Sequence, residues 1–304
     1  MSMSQRVSPP TLCSSLKIVA VSCVATSVIA AAANAEGFGE AEFRFGVAET
    51  TRVAQNPSFV SAVGGEQIVG DFSIGYQIGL DNGFGFQFDL DHTRVDNDNS
   101  DGGVYGATAA TIHGFADISP SFSFGAFATI VAAQQYDGSS PVECDDPQHL
   151  AVGVEGQLRL ANGVVVDALY GKSNLFDAPN TCDGYRWDGA TFVDLGLTVP
   201  ISDEWSVTGG YFASDATVQG DDPAEKTEIQ LGTEYDPAGT DWTFLAEISR
   251  KEYYQTQELD RSEIDTIYLG ARLDFGASKD TRRPLLSNVA RPLGRAIALS
   301  PDID

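Results

Sequence analysis

Between residues 38 and 275 the chain is written in a period of two. Segments of about ten residues alternate apolar and polar positions, and no 3.6-residue pattern competes with them. A strand that sends successive side chains to opposite faces needs this pattern, and it constrains the fold more than any other feature. In the first segment Ala41, Phe43, Phe45 and Val47 share one face, and Glu40, Glu42 and Arg44 share the other. In the second, Phe72, Ile74, Tyr76, Ile78 and Leu80 oppose Asp71, Ser73, Gln77 and Gly79; in the third, Phe84, Phe86, Phe88 and Leu90 oppose Gln87, Asp89 and Asp91.

Further strands are expected at about 104–118, 122–136, 150–160, 164–172, 190–199, 205–213, 227–235, 242–253 and 264–275, giving about twelve in all. Their connections alternate in length. Asp81-Asn82-Gly83, Ser119-Pro120-Ser121 and Ala161-Asn162-Gly163 make short turns, as do 200–204 and 236–241. Longer polar loops fall between them at 49–66, 96–103, 137–149, 173–189, 214–226 and 254–263. An antiparallel all-β barrel that crosses a membrane has this asymmetry, with short turns at one end and long loops at the other.

The N-terminus carries Arg6 and Lys17, then a small-residue apolar run over 18–33 and Ala33-Asn34-Ala35 before Glu36. That layout is a cleavable secretory signal, and the run is shorter than a spanning helix requires. Cleavage after Ala35 leaves 269 residues with 16 basic against 43 acidic side chains, a net charge of −27. Such a chain repels nucleic acid and polyphosphate. Without a later apolar helix, any crossing of a bilayer is made by strands.

Two faces are left to assign. The polar face collects Glu40, Glu42, Asp71, Asp89, Asp91, Glu155, Asp167, Asp194, Glu228, Glu234, Glu247 and Asp274. Turned inward in a soluble barrel, these carboxylates would be buried at several kcal/mol or more each; a water-filled lumen would solvate them. Phe84, Phe122, Trp205 and Trp242 begin strands just after short turns and Phe275 ends the last, as one aromatic girdle would require. Tyr136, Tyr170, Tyr211 and Tyr253 are expected to mark the opposite interface. A soluble barrel with its carboxylates outside is the competing reading, and twelve hairpin strands in single file fit it less well.

Inward carboxylates outnumber the inward bases Arg44, Arg159 and Arg272, so the lumen is expected to concentrate cations. Two states stay open: an aqueous pore lined by these side chains, or a bore in which the three arginines pair with neighbouring carboxylates and fill it. Passive diffusion of small neutral or cationic solutes needs no cofactor, metal or catalytic residue. Cys144 and Cys182, in consecutive long loops, form the expected disulfide of an exported chain.

The closing segment Tyr268-Leu269-Gly270-Ala271-Arg272-Leu273-Asp274-Phe275 resembles the last strand of the Gram-negative porins, particularly those of alphaproteobacteria. In those proteins a glycine, alternating hydrophobes and a closing aromatic form the address read by the barrel-insertion machinery. The resemblance implies that role for Gly270, Leu273 and Phe275, and a place in the outer membrane in contact with lipid and lipopolysaccharide. The chain departs from the pattern in two ways. Twenty-nine residues follow Phe275, among them Lys279, Arg282, Arg283, Arg291 and Arg295, and no segment reads as the inward constriction loop of the general porins. The tail at 276–304, interrupted by Pro284, Pro292 and Pro301, is expected to be irregular and periplasmic.

Other classes fare worse. A lipid hydrolase would need a nucleophile beside His92, His113 or His149, and no serine motif accompanies any of them. The run Asp96-Asn97-Asp98-Asn99-Ser100-Asp101-Gly102-Gly103 has clustered oxygens, but its glycine falls one place late for a calcium loop and the twelfth position carries no glutamate. A non-conducting structural or adhesive barrel is the main alternative to a channel. The solute and the oligomeric state are not legible.

Overall fold

The computed structural model describes residues 37–54, 65–80, 83–97, 104–134, 148–177, 187–218, 222–255 and 260–276. They form twelve strands: β1 (Phe38–Ala54), β2 (Gly65–Gly79), β3 (Phe84–Asn97), β4 (Val104–Ser119), β5 (Phe122–Gln134), β6 (Gln148–Arg159), β7 (Val165–Asp177), β8 (Trp187–Pro200), β9 (Trp205–Val218), β10 (Asp222–Tyr235), β11 (Trp242–Gln255) and β12 (Asp260–Gly276). Each pairs antiparallel with its neighbours in sequence, and β1 pairs with β12 to close the barrel. Strands of 12 to 17 residues exceed the roughly ten that a tilted strand needs to span a bilayer. Cys144, Cys182, Tyr136, the signal segment and the tail beyond Gly276 lie outside the described residues.

The turn chemistry is visible at two hairpins. Gly83 and Gly163 both have positive φ, +80° and +83°. In each, the glycine N–H donates to the carbonyl three residues back, and the residue just past the first strand donates its N–H to the carbonyl four residues on: Leu80 to Phe84 at 2.7 Å and Leu160 to Val164 at 2.8 Å. The left-handed position is one a β-carbon resists, which is why the third residue of each turn is glycine.

The outer face is apolar. Phe43, Phe45, Val47, Phe86, Phe124, Ile130, Val152, Leu195, Ile229, Phe244, Ile248, Ile267 and Leu269 are all exposed there. In β12 the run from Phe275 to Ile267 is about 27 Å along the strand and about 21 Å along the barrel axis at a tilt of ~40°. On the long-loop side the apolar run stops at charge: Glu49, Glu66, Arg94, Lys172, Asp215, Glu225, Arg250 and Asp265 are outward and exposed. Arg250 and Asp265 sit opposite each other there, joined by two bonds of 2.7 Å.

The short-turn girdle is present. Trp205 stacks on Tyr235 with ring centroids 4.7 Å apart, and Phe84, Phe122 and Trp242 are exposed beside their turns. Phe275 stacks on Tyr76 across β1, where a β-carbon at Gly39 would lie 2.4 Å from the Phe275 ring. The opposite tyrosine belt needs correction. Tyr170 and Tyr211 are outward but mid-strand, paired with Val154 and Leu195, while Tyr253 points inward and is 2 % exposed. Tyr253 is odd-numbered in β11, where even positions face outward, so parity places it inside.

Candidate functional site

Strand spacing of about 4.8 Å and a tilt of ~40° give twelve strands a backbone radius of roughly 12 Å. Long inward side chains therefore meet across one intervening strand, and they do so in three groups. Arg44 on β1 bonds Glu42 beside it and Glu247 on β11. Arg272 on β12 grips Glu234 on β10 with two bonds of 3.1 Å, and stands 3.7 to 3.8 Å from Glu40, Glu42 and Asp274. One guanidinium thus serves four carboxylates.

The second group spans β3, β4 and β6. His113 Nε2 is 2.8 Å from Asp89 Oδ2, and its Nδ1 is 2.9 Å from Glu155 Oε1. With a carboxylate at each ring nitrogen, both nitrogens donate, which is the imidazolium form. Gln87 donates to both oxygens of Asp89 at 3.0 Å. The third group lies toward the short turns: Arg159 donates to Gln157 and Ser123 at 2.7 Å and approaches Asp117 at 3.5 Å, while Gln157 donates to Asp167 at 2.9 Å.

All fifteen sequence-selected residues lie at inward positions, but in two environments. Glu42, Arg44, Asp71, Asp89, Asp91, Glu155 and Glu228 are buried; Glu40, Arg159, Asp167, Asp194, Glu234, Glu247, Arg272 and Asp274 are half-buried. The expectation that water solvates the whole carboxylate face is therefore corrected for the first set. In a barrel this narrow, Arg44 reaches Glu42, His113 reaches Asp89 and Glu155, and Gln230 and Lys251 reach Glu228, in place of water.

Nearer the long loops the inner face is buried, with Val69, Val95, Val131, Phe192, Phe212 and Ile264 at 0 to 2 % exposure among the buried polar residues Thr93, Ser173 and Ser214. Rings lie flat on glycines there: a β-carbon at Gly153 would fall 2.5 Å from Phe127, and one at Gly171 would fall 2.5 Å from Phe192. Sequence reading missed two inward bases. Lys251 lies 3.8 Å from Glu228, and Lys226 stands 5.1 Å from the centre of the Tyr253 ring. Lys251 was legible from the β11 parity; Lys226 was assigned to a loop because β10 begins earlier than its apolar residues suggest. Of the histidines, His92 faces outward with Nδ1 2.9 Å from Thr108 Oγ1, and His149 is inward and buried. Gly270 lies inward beneath Arg44, and Leu273 and Phe275 face outward.

A closed antiparallel barrel with an apolar outer belt, an aromatic girdle and a charged interior defines an outer-membrane, porin-like β-barrel. Among solved structures, an outer-membrane channel from Pseudomonas putida F1 is similar at TM-score 0.58 and 14% identity, over 79% of this chain and 96% of that one. A monoaromatic hydrocarbon channel, TodX, matches at TM-score 0.43 and 11% identity over 80% and 90%, and the translocator domain of the autotransporter NalP from Neisseria meningitidis at 0.40 and 12% over 76% and 87%. No family model matches the sequence, and no curated protein matches it.

Proposed function

We propose that this protein is an outer-membrane channel for passive diffusion of small solutes, with a preference for cations. One observation carries the reading: the interior of a lipid-facing barrel holds a surplus of carboxylates. Among the residues whose side chains are described, the inward bases are Arg44, Arg159, Lys226, Lys251, Arg272 and the His113 imidazolium, against thirteen carboxylates when Asp117 joins the twelve selected from sequence. The excess makes the lumen a cation-attracting field. Export by the N-terminal signal and insertion through the closing strand belong to the same reading, in which His113, engaged by two carboxylates, is a structural cation.

Planar-bilayer recording of the purified protein tests this. Discrete conductance with cation-favouring reversal potentials is expected, and Glu40→Lys with Glu234→Lys is expected to move the preference toward anions. Unchanged selectivity would sink the cation preference.

A second reading, a non-conducting structural barrel, is favoured by the buried layer near the long loops. Silent bilayers would support it. For a channel, that layer is the resistance: Phe192→Ala with Phe212→Ala removes two rings and is expected to raise single-channel conductance severalfold, and an unchanged value would remove the layer from the path.

A further inference from the structure

The inner wall is unequal around its circumference. On β3, β4 and β5 the inward residues Gln87, Asp89, Thr111, His113, Ser123 and Thr129 are 0 to 5 % exposed. At the depth of Gln87, Asp89 and Ser123, one to five residues from the short turns, the inward residues Thr198 on β8, Ser206 and Thr208 on β9, and Gln230 on β10 are half-buried. There side chains lie along the wall, Thr208 over Gly232 and Gln230 over Gly210. Gly196 and Gly210 face each other across β8 and β9, and Gly232 lies one strand further on, opposite Thr208. A wall of glycine and threonine holds its side chains back, where the opposite arc fills its space with Phe115, Phe127 and His113.

The two ionic groups follow the same division. The side chains of His113, Asp89 and Glu155 are 0, 1 and 2 % exposed, whereas those of Glu40, Arg272 and Glu234 are 25, 21 and 18 %. The first group touches only protein. The second stands at the short-turn end of the open arc, with more carboxylates than the one guanidinium neutralises.

We infer that the aqueous path is eccentric in the short-turn half of the barrel: there it follows the β8–β10 wall, and Glu234 and Glu40 are the charges a small cation meets at its short-turn mouth. Within the β3–β6 arc the Asp89–His113–Glu155 cluster is a sealed strut, and those two carboxylates do not contact solute. The recess is read from geometry alone; its role in selecting cations rests on the channel reading above.

The test is single-cysteine labelling of the folded, detergent-solubilised protein in a background with Cys144 and Cys182 replaced by serine. The probe is a positively charged methanethiosulfonate reagent, read by mass spectrometry. Thr208→Cys is expected to label at least tenfold faster than Gln87→Cys, which stands at the same distance from its short turn; equal rates, or the reverse order, would overturn the eccentric path. A fold control by gel mobility excludes variants that fail to close, and Thr198→Cys and Ser123→Cys then serve as the second pair for the same comparison. In bilayers, Glu234→Gln is expected to lower the cation-to-anion permeability ratio about twofold, and an unchanged ratio would overturn its place at the mouth. Fast labelling on the open arc with silent bilayers would uphold the recess and defeat the channel reading, so the two failures are distinguishable.

Discussion

His113 is the residue on which the sealed strut depends. It separates Asp89 from Glu155, both buried, and supplies the positive charge between them. His113→Ala leaves two carboxylates without that charge and is expected to lower folding stability by about 3–5 kcal/mol, measured as urea midpoints for refolding into lipid vesicles. Adding Asp89→Asn to that variant should recover part of the loss, because one of the two charges is gone; no recovery would mean that packing against Phe127, not charge, is what His113 contributes. The inward side of β3 was legible from Gln87, Asp89 and Asp91, since parity alone assigns it. The pairing of His113 with Glu155 was not, because a contact from β4 to β6 skips a strand and depends on the width of the barrel, and no local pattern encodes width.

At the scale of strands and turns, the glycines make separate demands. Gly163→Val puts a branched side chain at φ +83° and is expected to cost about 1–2 kcal/mol, visible as slower refolding of the β6–β7 hairpin region. Gly171→Leu keeps an ordinary backbone but drives a side chain into Phe127 and Phe192; overpacking of this kind costs about 1–3 kcal/mol, and a smaller Gly171→Ala effect would agree with it. The turn glycines could be read directly from Asn-Gly signals and alternating strands. The ring-bearing glycines could not, because each receives an aromatic from a strand whose register is fixed only in the closed sheet. Height along a strand was also poorly legible: Tyr170 and Tyr211 carry the residue type of an interface while standing beside Val154 and Leu195 in the middle of the belt.

For the whole molecule, the alternation that runs through all twelve strands becomes a single partition between lipid and lumen. Ala271 is at the middle of the outward run from Phe275 to Ile267, and Ala271→Arg is expected to cost about 2–4 kcal/mol. The same side chain introduced at Glu49, on the charged rim, should change stability by about 1 kcal/mol or less. Equal costs at the two heights would contradict the position of the belt.

The ladder between β1 and β12 runs unbroken from Phe38 opposite Gly276 to Ala54 opposite Asp260, the longest in the barrel. Its two halves are the first and last pieces of the fold to be synthesised. Assembly is therefore all or nothing in time as well as space: a ribosome that stops before residue 260 yields a curled sheet with two raw margins, and hydrocarbon offers no hydrogen bonds to heal them. Such fragments should be left to proteases rather than accumulate as smaller cylinders.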